Sequence, residues 1–272
     1  MTLSDSALAD TPVAPARPAS RGVPPPLVLG IGLLAAWWAI AALVDSAVMP
    51  TPVTAVERLL VNLQSTRFLD SAADTVLRLL TAYVGVAVVG AVTGFLLGLA
   101  RFWAAAVSPL LYAVYSVPKI VLFPLFLLFL GLGDASQVGF AFFSGVLPMV
   151  LLVSAAAAAV PPLPLKLAAS LRMSTPAVIT KIVLPSILPA FAGALRLTFG
   201  LTFLGLLIAE MFTGVSGLGY ELLRNVPLVR MGDIVGEVVL VILIALAPAI
   251  GLRTLETRVR ARFGTTTEGD GR

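Results

Sequence analysis

The feature that most constrains this chain is a series of apolar runs, each about as long as a lipid bilayer is thick. A hydrocarbon core about 30 Å thick is crossed by a helix of about 20 apolar residues. Such runs cover about residues 27–44, 107–130, 138–160 and 234–252, and two more end near Arg101 and Phe212. The length of 272 residues, 59% of them hydrophobic, allows about six such runs and one sizeable loop, so there is no room for a second globular domain. The sequence therefore predicts an all-α, polytopic membrane protein with about six transmembrane helices.

The charges between the apolar runs predict how the chain is oriented. Residues 1–23 have no apolar periodicity, which predicts a disordered tail, and residues 264–272 are predicted to form a second flexible tail. The transmembrane domain then covers residues 24–263. With six spans, about eleven Lys and Arg residues lie on one side of the membrane and about four on the other. Because basic residues collect in the cytoplasm, both termini are expected to be cytoplasmic, in the plasma (inner) membrane.

Missing residue types exclude several kinds of chemistry. The chain has no Cys and no His, which excludes disulfides, Cys/His zinc sites and histidine bases. Gly217-Leu218-Gly219 follows no predicted strand, and no G-x-x-x-x-G-K-[ST] phosphate-binding sequence occurs. We therefore expect a non-catalytic chain that holds no metal or cofactor. The net charge of +4 is interpreted as an orientation signal and not as a nucleic-acid-binding surface.

Four glycines in the second apolar run, Gly85, Gly90, Gly94 and Gly98, are spaced four or five residues apart. Small residues at such spacing allow helices to approach closely within lipid. We interpret them as packing positions.

One segment, residues 166–189, interrupts the apolar pattern. Lys166, Arg172 and Lys181 restore charge there, while apolar residues recur at a spacing close to one face of a helix. This pattern predicts a short amphipathic helix outside the membrane. From periodicity alone, that helix either lies on the lipid headgroups or docks on a partner.

The same segment resembles the cytoplasmic "EAA" loop of ABC import permeases, which form a type I importer fold. Ala168, Ala169, Ser174 and the pair Leu184-Pro185 match its pattern, whereas Lys166 stands at or beside the place of the family's acid and Arg172 at that of its Gly. The resemblance implies a coupling helix, in a loop at about residues 161–185, that docks into a groove of an ATPase subunit. The residues that it assigns to ATPase coupling are Lys166, Leu167, Ala168, Ala169, Leu171, Arg172, Ser174, Leu184 and Pro185.

Other segments between Met49 and Phe263 resemble the nitrate, sulfonate and taurine branch of these importers. They include MPTPVTAVERL, SVPKIVLFPLFLLFLGLG, and the pattern formed by Gly193, Arg196, Ala209-Glu210 and Gly217-Leu218-Gly219. The resemblance implies a homodimer of permease chains in membrane lipid, served by two ATPase chains and an extracytoplasmic solute-binding protein. ATP and magnesium would be held by the ATPase.

The segment SVPKIVLFPLFLLFLGLG resembles a proline-rich helix that lines the pathway of these importers. With the charged residues of the spans, the resemblance implies a translocation pathway made of Pro118, Lys119, Pro124, Arg196 and Glu210. A lysine inside a bilayer costs about 2.5–3.5 kcal/mol, so Lys119 should face protein or water. Alternatively, it pairs with a carbonyl freed by Pro118 or Pro124, or reaches the inner face.

An excess of basic residues in the spans favours a small anionic solute, such as a sulfonate, nitrate or carboxylate. Arg78 and Arg196 lie near span ends, where reaching toward the headgroups is the simpler explanation. The alternative function is an ion-gradient-driven secondary transporter, for which Glu210 and Glu237 are the candidate intramembrane acids.

Overall fold

The computed structural model of the chain describes residues 25–44, 46, 49–213 and 216–263. The predicted tails, 1–23 and 264–272, lie outside the described residues. The described part is helical and contains no strand. Its helices are α1 Pro25–Val44, α2 Pro52–Asn62, α3 Thr66–Gly85, α4 Ala91–Leu99, α5 Arg101–Ser116, α6 Phe123–Leu130, α7 Asp134–Ala158, α8 Pro162–Ser170, α9 Thr175–Val178, α10 Leu184–Thr213, α11 Leu218–Asn225 and α12 Met231–Phe263.

Four helical segments are long and apolar enough to cross a membrane: Thr66–Leu99, Asp134–Ala158, Thr175–Thr213 and Met231–Phe263. A fifth is the pair Phe102–Ser116 and Lys119–Leu130, bent by 91°. The shorter apolar helix Val28–Val44 corresponds to the first predicted run. The prediction of an all-α polytopic membrane protein is confirmed.

The third predicted span is broken at one of its three prolines only. Pro109 lies inside α5 and Pro124 lies in the first turn of α6, whereas the 91° bend falls at Val117 and Pro118. Val117 has extended backbone angles (φ −67°, ψ 131°), because the ring of a following proline disfavours the helical conformation. A proline in the first turn of a helix costs no hydrogen bond, so Pro124 does not interrupt α6.

The first apolar run is followed by the short helix α2. Its first turn is capped by Thr51, whose Oγ1 accepts a hydrogen bond from the Thr54 backbone N–H at 3.3 Å. The second span begins with α3, at Thr66. It continues through a π-helical turn, Val86–Gly90, into α4.

Helix α7 lies at the centre of the bundle, between α3–α4 on one side and α10 on the other. A methyl group added at Gly90 would lie 2.6 Å from Met149 Cγ, and one added at Gly94 would lie 2.7 Å from Val150 O. At Gly98 it would lie 2.5 Å from Ser154 O. These contacts confirm that the glycines of the second span permit close helix packing.

Residues 166–189 do not form one amphipathic helix, which corrects the prediction for this segment. Helix α8 ends at Ser170, and α9 then runs through the π-helical turn Ile179–Val183 into α10 without a break. Pro185 and Pro189 lie within this long helix and do not begin a new one. Packing of Val183 and Ile187 against Ala157 of α7 holds the helix across these prolines.

Candidate coupling loop and translocation cavity

The end of α8 is a Schellman cap. The Met173 N–H donates to Ala168 O and the Arg172 N–H donates to Ala169 O, both at 3.0 Å. Arg172 occupies the left-handed position of this cap, with φ +53°, where glycine is the usual residue. The glycine of the resembled pattern therefore corresponds to a backbone requirement, and this chain meets the requirement with an arginine.

The predicted coupling residues differ in how far they are available to a partner. Leu167 and Leu171 are 60% and 66% exposed, and Ala168 is only 1% exposed because it packs inside the chain. Ala169 is exposed. Of the two alanines, only Ala169 is open to close approach by another protein in this conformation. The remaining predicted coupling residues are exposed, except for the half-buried Pro185: Lys166, Arg172, Ser174 and Leu184.

Lys119 lies at the bend of the third span and binds a backbone carbonyl. Its Nζ donates to Ser144 O at 3.1 Å and lies 4.8 Å from the centre of the Tyr115 ring. In a helix, Ser144 O would accept from the N–H of residue 148, which is a proline and has none. The partner of Lys119 is thus a carbonyl freed by proline, as one alternative expected, although the proline is Pro148 and not Pro118 or Pro124.

The side chain of Lys119 also borders a cavity of about 490 Å³. Its wall comes from the bend of the third span and from the faces of α7 and α10 that meet there. Residues on this wall include Tyr115, Pro118, Phe140, Ser144, Leu204 and Gly205. Within the part of the chain that the structure describes, no acidic residue lines the cavity. Lys119 is therefore a cationic group at the edge of a mostly apolar cavity.

Glu210 lies elsewhere, in a buried polar cluster. Its side chain is fully buried and accepts hydrogen bonds from Thr75 Oγ1 at 2.9 Å, Arg78 Nη1 at 3.2 Å and the Gly219 N–H at 3.0 Å. Arg78 also bonds to the Asp134 carboxylate, with 2.7 Å between Nη2 and Oδ1. The side chain of Arg78 is only 7% exposed, so the expectation that it extends toward the headgroups is wrong. The carboxylates of Glu210 and Asp134 neutralise the charge of Arg78 within the protein instead.

Arg196 joins α10 to the end of α12. Its Nε donates to Glu256 Oε2 at 2.6 Å, and Arg260 Nη2 lies 2.8 Å from the other oxygen of that carboxylate. Neither Arg196 nor Pro124 lines the Lys119 cavity. Of the five residues predicted to form the pathway, the structure therefore places Pro118 and Lys119 at this cavity. Pro124, Arg196 and Glu210 lie in other surroundings.

The sequence also matches known proteins. Residues 87–263 match the family described as the binding-protein-dependent transport system inner membrane component. The chain belongs to this family. The permease is therefore a multi-pass membrane subunit of an ABC importer, and its family is a component of transport systems.

Several relatives of the permease have named solutes. The taurine transport system permease protein of Escherichia coli is 24% identical over 239 residues, 85% of this chain and 87% of that protein. A putative aliphatic sulfonates transport permease protein of Bacillus subtilis is 27% identical and covers 72% of each chain. The nitrate import permease protein of Synechococcus elongatus is 24% identical, over 69% of this chain and 71% of its own.

Two features of the permease were missed by sequence reasoning. Pro148 in the fourth apolar run was a usable signal, because a proline within a span frees one carbonyl for a donor such as Lys119. Glu256 gave no comparable signal, since it stands alone in a basic segment and its partner Arg196 is far away in sequence.

The two acids considered for an ion-driven relay have separate partners in the permease. Glu237 accepts from Asn225 Nδ2 at 2.7 Å, whereas Glu210 is held by Thr75 and Arg78.

Proposed function

We propose that this permease moves a small anion, of the sulfonate, nitrate or carboxylate type, and that a separate ATPase drives it by docking on residues 161–185. An extracytoplasmic solute-binding protein would deliver the solute on the opposite side. ATP and magnesium would be bound by the ATPase, and both termini of the permease would lie with it in the cytoplasm. The observation that carries the anion assignment is the position of Lys119.

Lys119 differs from the other cations found inside the bundle. Arg78 is paired with Glu210, and Arg196 is paired with Glu256. Among the residues that the structure describes, Lys119 has no carboxylate within 4.0 Å, and its only partners are Ser144 O and the Tyr115 ring. A cation that is held at a cavity without a counter-ion attracts an anionic solute. Sulfonates and nitrate, named for two of the relatives, are anions of this kind.

The docking surface is supported by the two exposed leucines of the coupling loop. Leu167 and Leu171 are four residues apart, at the end of α8 and in its cap, and both are more than half exposed. Exposed Lys166 and Arg172 stand beside them. Two exposed leucines with flanking cations suit an apolar groove with an acidic rim. We assign that groove to the ATPase.

A continuous helix supports transmission of the ATPase movement to the cavity. The segment Thr175–Thr213 begins beside the α8 cap and carries Leu204 and Gly205 of the cavity wall. A displacement of its first turn would therefore move one wall of the Lys119 cavity. Energy would enter because ATP binds one of two conformations of the assembly more tightly than the other.

A second copy of the permease would enclose the cavity. Leu197 and Leu204 on α10 are 50% and 55% exposed, and Gly200 between them has no atom of another residue near its missing side chain. This apolar face beside the cavity, with a glycine between two leucines, suits helix packing in lipid. We therefore propose a homodimer, with two ATPase chains.

Co-purification tests the coupling surface. The tagged permease is extracted in mild detergent, and ATPase recovery is compared for wild type, Leu167→Glu/Leu171→Glu and the control Leu228→Glu, which changes an exposed leucine before α12. We expect an ATPase with wild type and the control, and its loss from the double variant. Absence of an ATPase from the wild-type preparation, or its retention by the double variant, would refute docking at this loop.

The anion assignment is tested by uptake in proteoliposomes that contain the full transporter. The probes are taurine, an alkyl sulfonate and nitrate, and the variants are Lys119→Gln and the charge-conserving Lys119→Arg. An uncompensated charge within a span costs about 2.5–3.5 kcal/mol, and about 1.4 kcal/mol already corresponds to a tenfold change. We therefore expect Lys119→Gln to lower uptake tenfold or more, with most activity retained by Lys119→Arg. Equal uptake by both variants would refute the role of the charge.

A further inference from the structure

A second concave surface lies at the end of the bundle that carries the coupling loop. It is a groove of about 790 Å³ between the start of the α8–α10 segment and the last turns of α12. Its walls are apolar and rich in proline, and two basic side chains stand among them. The residues that define this groove are Pro164, Pro185, Pro189, Phe263, Lys181 and Arg260.

The groove carries a net positive charge. Glu256, whose side chain is 8% exposed, is shared by Arg196 and Arg260, so this group of three has one charge in excess. Lys181 is exposed and has no carboxylate within 4.0 Å in the described part of the chain. It therefore adds a second uncompensated positive charge. Two uncompensated positive charges beside apolar walls favour a ligand that has both an anionic group and an apolar body.

The position of the groove in the spans specifies that ligand further. Lys181 precedes the apolar part of the fifth span, and Arg260 follows the apolar part of the sixth. The two cations therefore lie at the level where the headgroups of the bilayer meet its acyl chains. A free anion in water would gain little from the proline and phenylalanine walls, whereas a lipid would contact both parts of the groove.

We propose that this groove binds an anionic phospholipid of the surrounding bilayer. The phosphate is held by Lys181 and Arg260, and the first part of the acyl chains lies against Pro185, Pro189 and Phe263. The assignment to the cytoplasmic leaflet rests on the proposed function, because it uses the location of the coupling loop. The binding itself does not depend on docking of an ATPase.

Native mass spectrometry of the purified permease tests the proposal. The probes are phosphatidylglycerol and phosphatidylcholine with the same acyl chains, titrated into the delipidated protein. Lys181→Gln/Arg260→Gln removes both cations, and Glu256 keeps Arg196 as a partner. The matched control is Arg253→Gln/Arg258→Gln, which removes the same charge from α12 residues that do not line the groove.

We expect the wild type and the control to prefer phosphatidylglycerol. The groove variant should bind it about twenty-five-fold more weakly, since each of the two basic residues near the membrane contributes roughly a five-fold factor. Equal binding of the two lipids by wild type, or equal weakening in both double variants, would overturn the proposal. Full displacement of phosphatidylglycerol by millimolar inorganic phosphate would also overturn it, because the groove would then recognise a free anion.

These results are separable from those for the coupling loop. If the groove variant loses lipid but still retains the ATPase, the lipid site stands independently. If ATPase docking fails for wild type while lipid preference persists, only the leaflet assignment is lost.

Discussion

Replacement of Arg78 by leucine tests whether the buried pair at one end of α3 and α10 stabilises the fold. The Glu210 carboxylate is fully buried, and among the described residues Arg78 is the only cation that contacts it, at 3.2 Å. In Arg78→Leu, Thr75 and the Gly219 N–H remain as partners of Glu210, but its charge is uncompensated. Removing one partner of a buried ion pair costs about 3–5 kcal/mol. We expect the free energy of unfolding to fall by about that amount.

Two further variants separate the pair from its individual members. Arg78→Leu/Glu210→Leu removes both charges, so it should be less destabilised than Arg78→Leu alone. Arg67→Leu is the matched control, because Arg67 is 59% exposed and its partner Glu221 keeps Arg224 at 2.6 Å. Because Arg67 is exposed and the buried Glu221 keeps a second cation, loss of this contact should cost only about 0–1 kcal/mol.

Thermal unfolding in one detergent measures the difference. For a chain of about this size, each kcal/mol shifts the melting temperature by roughly 2–4 °C, so Arg78→Leu should melt about 6–20 °C lower than wild type. Arg67→Leu should melt within about 4 °C of wild type. The reasoning is refuted if Arg78→Leu melts with Arg67→Leu, or if the double variant is less stable than Arg78→Leu.

Three other substitutions have expected outcomes that follow from backbone geometry. Arg172→Gly should stabilise the α8 cap by about 1 kcal/mol, because glycine adopts the φ of +53° without cost. Hydrogen exchange at the Met173 N–H should then slow about five-fold, and an unchanged exchange rate would contradict this. Gly98→Ala should destabilise the fold by about 1–3 kcal/mol in thermal unfolding, whereas the control Gly251→Ala, with no neighbour within 4 Å, should not. Equal melting temperatures of the two variants would contradict close packing at Gly98. Gly217→Ala should lower stability by about 1–2 kcal/mol, since Gly217 has φ +108° and faces Glu210; a wild-type melting temperature would contradict this.

The candidate cavity could be predicted only in part from the sequence. A lysine within an apolar run indicated a group that must face protein or water, and Lys119 does so. Its carbonyl partner could not be chosen from the sequence, because each of Pro118, Pro124 and Pro148 would free one carbonyl if it lay inside a helix. Only the structure shows that Pro148 does so and that the bend of the third span brings Lys119 to that carbonyl. Glu210 resembled a pathway acid because its partner Arg78 is 132 positions away, and the sequence does not show that the two side chains pair.

For the coupling loop, the sequence predicted the location but not the backbone conformation. Its location followed from the return of charge after an apolar run, and the resemblance added the residues to examine. The loop conformation did not follow, because a helical spacing of apolar residues continues across the α8 cap. The cap is formed by two backbone hydrogen bonds and the left-handed Arg172, which leave no periodic trace in the sequence.

By itself, the sequence determined the all-helical membrane class, the existence of the spans and the place of the loop between the fourth and fifth of them. These follow from local composition, because a bilayer selects apolar segments by length wherever their partners lie. Only the tertiary structure decided which charges are neutralised and which remain available. Arg78 with Glu210, and Arg196 with Glu256, are pairs between distant helices, and their formation leaves Lys119 as the unpaired cation at the cavity. Such pairs depend on how the helices pack, which no single span specifies.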